Sequence, residues 1–244
     1  ANYLGVGTNE KYYVQYGGAY YDITPLRATT SAGDVTFAAT DGSSIVTVTE
    51  ASHGAIVGDF VTFSGAATLG GTITAEVLNQ EYKIATTPTA NTFTIIAREV
   101  NPVSRITVNG IYTPVAVAAN SSDSGNGGGS TVGAYQISIG LNTSVTGDGW
   151  NAGTWSRGTW NSATTPTIQD VLRLWTHDNF GEDLIINLYN GGLFYYDSSG
   201  GLTNRAVLLS LVTGAVSTPS VATKVLVSDV DLHVIAFGCD SEDD

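Results

Sequence analysis

The stretch that decides the fold runs from Gly147 to Asp197: GDGWNAGTWSRGTWNSATTPTIQDVLRLWTHDNFGEDLIINLYNGGLFYYD. It holds all four tryptophans, Trp150, Trp155, Trp160 and Trp175. It also holds the clearest hairpin in the chain. Leu184 to Leu188 is an apolar run, Asn190-Gly191-Gly192 supplies the backbone freedom of a tight turn, and Leu193 to Tyr196 is a second run rich in aromatics. Upstream, Trp155 and Trp160 sit in the tandem GTWSRGTW, where glycine beside tryptophan lets a loop fold closely over a large ring. Thr167 to Trp175 reads as loop followed by strand. The pattern is one of sheet edges and packing loops, so Trp150, Trp155, Trp160, Trp175, Tyr195 and Tyr196 are the candidate interface and packing residues.

Working outward, the same pattern recurs. Residues 3–24 (YLGVGTNEKYYVQYGGAYYDIT) read as three short strands with turns at Asn9-Glu10 and Gly17-Gly18. Their end, Tyr20-Tyr21-Asp22, matches Tyr195-Tyr196-Asp197 after a second Gly-Gly turn, and Leu232 to Gly238 is a third echo. Repeated short meanders are what blades of a β-propeller look like in sequence. Residues 34–118 have a different texture, poor in aromatics and rich in Thr, Val and Ala, with strand signals about every ten residues. Residues 119–133, with Asn120-Ser-Ser-Asp-Ser-Gly-Asn-Gly-Gly-Gly-Ser130 at their centre, read as a flexible linker by composition. The expectation is an all-β chain: a first propeller-like blade (1–33), an inserted small β-sandwich or barrel (34–118), the linker, and further blades (134–244). Three meanders are too few to close a propeller, so open sheet edges and exposed apolar surface are expected.

Composition narrows the function. The formal net charge is −13, with only nine Lys and Arg in 244 residues. A duplex-binding surface needs clustered cations to displace counterions, and none is present. DNA is expected to pass such a surface without binding. Cys239 is the only cysteine, which excludes an internal disulfide and a thiolate metal site. No apolar run is long enough to span a membrane as a helix, and no membrane anchor is expected. Methionine is absent altogether, as in a processed chain or a piece of a longer one.

No constellation with a catalytic spacing stands out. His53, His177 and His233 are far apart in sequence and lack metal-ligand spacing. The acidic end, Asp240-Ser-Glu-Asp-Asp244, lacks the pattern of a calcium loop. Glu182-Asp183 is a carboxylate pair, but neighbouring strand residues point to opposite faces, whereas glycosidases need carboxylates facing across a cleft. In Asp148-Gly-Trp-Asn-Ala-Gly-Thr-Trp155 the spacing of a sialidase Asp box fails, because Gly153 directly precedes Thr154. Tyr12-Tyr13 and Tyr195-Tyr196 could stack on sugars, or serve as core and interface. No catalytic, metal or cofactor-binding residue and no cofactor is assigned.

These motifs, in their order, resemble the tail nozzle (tail hub) proteins of short-tailed bacteriophages. The resemblance rests on Leu4 to Pro25, Gly58-Asp-Phe-Val-Thr-Phe-Ser-Gly65, Gly149-Trp-Asn-Ala-Gly-Thr-Trp155, Trp175 to Ile185, Gly191 to Asp197 and Asp231 to Gly238, and it covers nearly the whole chain. It implies propeller blades with an inserted β-domain, assembled with other copies of itself as a ring in the virion tail. That ring would contact other tail proteins and conduct DNA during ejection without holding it. It carries no catalytic residues to transfer. The alternative reading of the residues is a carbohydrate-binding adhesin or receptor-binding tail protein, whose partner would be a host surface glycan.

Overall fold

The structure is a computed structural model and describes residues 4–100, 106–108, 111–138, 173–228 and 230–239. The chain is almost entirely β, in several antiparallel sheets. It divides into two compact units, one formed by residues 1–25 with 139–244 and the other by residues 26–138.

The first unit opens with β1 (Leu4–Gly7), β2 (Tyr12–Tyr16) and β3 (Ala19–Asp22), an up-and-down meander. The two-residue turn between β2 and β3 is Gly17-Gly18, with φ of 61° and 84°. Such a turn needs both residues left-handed, which glycine adopts without a Cβ penalty.

The second unit contains β4 (Leu26–Thr29), β5 (Thr36–Ala39), β6 (Ile45–Thr49), β7 (Phe60–Ser64), the one-turn helix α1 (Ala75–Leu78), β8 (Glu81–Lys83), β9 (Thr86–Thr89), β10 (Thr92–Ile96), β11 (Ile106–Val108), β12 (Ile111–Thr113) and β13 (Val132–Gln136). Two four-stranded sheets, ordered β5-β6-β10-β9 and β4-β13-β7-β8, face each other across one core. Alternation builds that core. Val46 and Val48, Val61 and Phe63, and Phe93 and Ile95 point inward from successive strands while their neighbours point out. Phe63 from one sheet lies 5.0 Å from Phe37 and 6.4 Å from Phe93 of the other, ring centre to ring centre. On the outward face of the first sheet Thr47 pairs with Thr94 and Thr49 with Thr92 across β6 and β10, and the row ends in the exposed pair Ile45 and Ile96. Pro88 lies in β9, an edge strand, where a missing backbone donor breaks no ladder.

The sandwich has wider limits than the 34–118 read from the sequence. The division falls at 25/26 and 138/139 rather than at 33/34 and 118/119. Leu26 and Gln136 are paired on β4 and β13, so the chain enters and leaves the sandwich at one place. That is the geometry a domain inserted in a loop needs. Residues 119–133, glycine- and serine-rich, are built into the sandwich. Asn126 O accepts from Phe37 N at 3.0 Å, Gly127 O from Ala67 N at 2.7 Å, and Gly125 N donates to Leu69 O at 2.7 Å. The small residues are there for close approach: a Cβ on Gly127 would stand 2.5 Å from the Phe37 ring. The Thr-Pro-Thr stretch is itself strand β9, hairpinned to β10, and β8 pairs with β7.

The first unit resumes with β14 (Trp175–Phe180), β15 (Asp183–Leu188), β16 (Leu193–Tyr196) and β17 (Val207–Leu208), a four-stranded sheet in sequence order. The hairpin at Asn190-Gly191-Gly192 is present, with Asn190 left-handed at φ 52°. The ribbon β18 (Lys224–Val227) and β19 (Val234–Phe237) follows.

Candidate functional site

The first unit is a stack, and strand alternation in β14 shows how it is made. Trp175 and His177 project to one face of the sheet and Thr176 and Asp178 to the other. On the first face lies the opening meander. Trp175 Nε1 donates to Thr8 O at 2.7 Å, and its ring centre is 5.3 Å from that of Tyr12. His177 stands edge-on to the same tyrosine at 5.8 Å. Gly7 makes this approach possible, since a Cβ there would fall 2.5 Å from Trp175 Cδ1. On the opposite face lies the β18–β19 ribbon. Val227 N donates to Asp178 Oδ2 at 2.9 Å, and Val225 and Val227 pack on Ile185 and Leu193.

An ionic clasp ties the opening meander to the later chain. Asp22 accepts from Lys11 Nζ and Arg205 Nη1, each at 2.7 Å, and Ala206 N donates to Ile23 O at 3.1 Å. Burial alone would raise the Asp22 pKa, but the Arg205 and Lys11 cations, with hydrogen bonds from Lys11 and Thr24, hold it below the usual carboxylate range. The Tyr-Tyr-Asp echo has a structural counterpart here. Asp22 Oδ1 accepts from Thr24 N and Oγ1 at 2.9 and 2.6 Å, and Asp197 Oδ1 accepts from Ser199 N and Oγ at 2.8 and 2.6 Å. In both places a strand ends in an Asp that folds the next turn back on itself.

The outer surfaces of this stack are apolar. On the ribbon, Leu226, Ile235 and Phe237 are 40%, 47% and 48% exposed, all on the side away from Val225 and Ala236. On the opening meander, Leu4 and Tyr20 are 59% and 63% exposed. Trp175, a predicted packing residue, lies on edge strand β14 and is spent on contacts to the meander. Tyr196 is a core residue, its hydroxyl donating to Gly201 O at 3.2 Å. Tyr195 is half-buried, packed 6.3 Å from Phe180, and donates to Asp183 Oδ2. Trp150, Trp155 and Trp160 lie outside the described residues, as does the Asp148–Trp155 stretch.

One cavity of about 220 Å³ opens in this unit, lined among others by Gly5, Val14, His177, Glu182, Asp183 and Leu184. Glu182 and Asp183 both border it. Glu182 belongs to the β14–β15 turn, where strand alternation does not hold. Asp183 is committed: Oδ2 accepts from Tyr195, and Oδ1 from Ser198 N at 2.9 Å and Ser198 Oγ at 3.0 Å. Burial holds the His177 pKa below its ordinary value, against the nearby Asp178 carboxylate. His53 is a core residue of the sandwich, its Nδ1 accepting from Ala55 N at 3.0 Å, and His233 is exposed. Among the described residues, no group of three His, Cys, Asp or Glu side chains is placed to hold a metal ion, and no helix is long and apolar enough to cross a membrane.

No protein-family model matches the chain, and no curated protein matches it. Among solved structures, the phage phi92 endosialidase is similar at 13% sequence identity and a TM-score of 0.25. The match covers 93% of this chain and 32% of that one, so this chain spans about a third of that protein's length. A superposition that loose assigns neither a fold nor an activity.

Sequence reading missed Asp123, the residue that pins the 119–133 segment. Its carboxylate, 5% exposed, accepts from Gly71 N, Thr72 N, Thr72 Oγ1, Ile73 N and Asn120 N at 2.8–3.0 Å. Burial would raise its pKa, and these hydrogen bonds bring it below the ordinary value. A lone Asp in a run of small polar residues carries no signal separating this role from a solvated linker.

Proposed function

We propose that the chain is a structural protein of a phage virion, a subunit of a tail nozzle or similar tail-end ring through which DNA is ejected. The observation that carries this reading is the face-to-face stacking of short antiparallel meanders with a β-sandwich inserted after the first. That arrangement fits blades of a propeller and the motif order that resembles nozzle proteins. The role is mechanical and electrostatic. Stacked sheets give a stiff wall, and the exposed apolar faces at both ends of the stack meet neighbouring polypeptide, from other copies of the chain or other tail proteins. The acidic balance lets DNA pass without being held. No catalytic step is assigned.

Electron microscopy of the purified protein, and of the virion labelled with antibody to residues 26–138, tests this. Ring particles and label at the tail end are expected, with no duplex-DNA binding at physiological salt. Saturable binding on a glycan array without rings would replace the nozzle by an adhesin.

A further inference from the structure

The loop between β6 and β7 is held by a side chain whose grip depends on a missing proton. His53 is 5% exposed, and both of its ring nitrogens are engaged. Nδ1 stands 3.0 Å from Ala55 N and accepts its hydrogen bond, so Nδ1 carries no proton. Nε2 stands 3.1 Å from Thr89 O, a carbonyl that only accepts, so Nε2 bears the proton and donates. These two contacts require the neutral ring in one tautomer. An imidazolium has a proton on both nitrogens. Its Nδ1–H would point at the Ala55 N–H, and that hydrogen bond would be lost.

The surroundings favour a response confined to the loop. Ser52 is left-handed at φ 55°, a conformation that a non-glycine residue keeps only where its neighbours impose it. Asn91 does so from the β9–β10 turn, its Oδ1 accepting from Ser52 N at 2.9 Å. At the tip, Ile56 and Val57 are 55% and 57% exposed. The charged and titratable groups about the ring come from several elements. Glu50 lies at the end of β6 and acts electrostatically with His53, and Tyr135 of β13 donates to Glu50. Asp34, ahead of β5, acts on Glu50 in turn. Arg27 of β4 donates through Nη2 to His53 O at 3.2 Å and lies 3.9 Å from Asp59 Oδ2, beside β7. β9 and β10 bring no charge, only Thr89 O and the Phe93 ring, 5.1 Å from the imidazole. A proton on His53 is therefore met by the Glu50 carboxylate and opposed by Arg27. We propose that His53 is a proton-operated latch. Neutral, it ties the β6–β7 loop to the β9–β10 hairpin; protonated, it releases Ala55 and frees the loop that carries Ile56 and Val57.

The test is NMR on the isotope-labelled full chain, taken from neutral into acidic solution. The ring signal lost in His53→Asn identifies His53 among the three histidines. At neutral pH its nitrogen shifts should show the Nε2–H form. As the ring protonates, the Ala55 amide should lose about tenfold in protection from hydrogen exchange, the worth of one hydrogen bond. The Phe37 amide, bonded to Asn126 O elsewhere in the sandwich, should stay protected. Asparagine places an oxygen where the ring has Nδ1, accepts from the amide two residues on and takes up no proton. In His53→Asn, protection of Ala55 should therefore not change with pH. The wild-type measurement decides alone if that variant does not fold. An Nδ1–H ring at neutral pH, an Ala55 amide still protected once the ring is charged, joint loss of the Ala55 and Phe37 amides, or the same loss in folded His53→Asn would overturn the proposal.

Discussion

The two units solve the same problem differently. The sandwich at 26–138 folds two sheets onto each other, so each covers the other's apolar face, and the outward face of its β6–β10 pair carries threonines with one exposed isoleucine pair, Ile45 and Ile96. The stack at 1–25 and 139–244 places one sheet between two smaller ones. Its central sheet is covered on both sides, but the outer faces carry Leu4, Tyr20, Leu226, Ile235 and Phe237 toward solvent. Two sheets with inner faces only are self-sufficient. A stack always has two ends, and ends that are apolar call for another layer. The difference is one of cover: the insert buries its main apolar faces within itself, and the unit it interrupts leaves apolar residues on its outer faces.

The largest expected effect lies in the sandwich core. Residues 26–138 expressed alone should unfold cooperatively in urea, and Phe63→Ala should cost about 3–5 kcal/mol, because its ring sits among Phe37, Tyr82 and Phe93. All four tryptophans lie outside 26–138. In the full chain, therefore, no tryptophan belongs to the sandwich, and Phe63→Ala should leave the transition seen by tryptophan fluorescence unmoved within about 0.5 kcal/mol. A shift of both transitions together would mean the units are not energetically separate.

Next comes the segment that composition disguises. Asp123→Ala strands four backbone donors around a buried carboxylate site and should cost about 2–4 kcal/mol in the sandwich. A flexible linker would tolerate the change without measurable cost. Urea melts of the two proteins decide between these outcomes.

That segment also shows what the sequence could and could not disclose. Strand alternation in Ile45–Thr49, Phe60–Ser64 and Thr92–Ile96 is a local signal and is plain to read, as are the Gly17-Gly18 and Asn190-Gly191 turns. So is the existence of the insert, because a two-sheet core repeats its pattern every ten residues. Its limits were not legible. They depend on β4 pairing with β13 across more than a hundred residues, and Arg27 or Gln136 looks the same in a blade as in a sandwich. The Gly/Ser run was misleading because close packing and flexibility call for the same small residues. The cavity was hidden for a related reason. It unites Gly5 with His177 and Glu182, brought together only by stacking.

A smaller effect is expected at the ionic clasp of the stack. Asp22→Asn removes the negative charge between Lys11 and Arg205 and leaves a single carbonyl acceptor, and should cost about 1–3 kcal/mol, read by tryptophan fluorescence during urea unfolding. The sign with pH follows from the depressed pKa. The folded state releases the Asp22 proton more readily than the unfolded chain, so the stabilisation is complete above the ordinary carboxylate range. It disappears as pH falls through the depressed value. The wild-type stack should therefore lose stability below about pH 4 more steeply than the variant. Parallel pH profiles would remove Asp22 from the account.

The smallest effect has the opposite sign and belongs to the sandwich. Glu50 is buried there, its Oε2 accepting from the Tyr135 hydroxyl, with the Arg27 guanidinium 5.0 Å above the Tyr135 ring. Burial raises its pKa, and this outweighs the Tyr135 hydrogen bond and the His53 and Arg27 charges, which favour the carboxylate. A raised carboxyl pKa means that the folded state holds the proton more tightly than the unfolded chain. Stability then declines as pH rises from below the ordinary value, through the raised one, to neutrality. Glu50→Gln keeps an acceptor for Tyr135 and removes the charge, so it abolishes that decline. The variant should gain on wild type, by under about 1 kcal/mol, between pH 3.5 and pH 7. Urea melts of residues 26–138 at the two pH values measure it. A variant that instead loses ground at pH 7 would show that Arg27 and His53 compensate the buried charge in full. Glu50 would then be a stabilising ion rather than a strained one, and acid would act with the same sign on this site and on the Asp22 clasp.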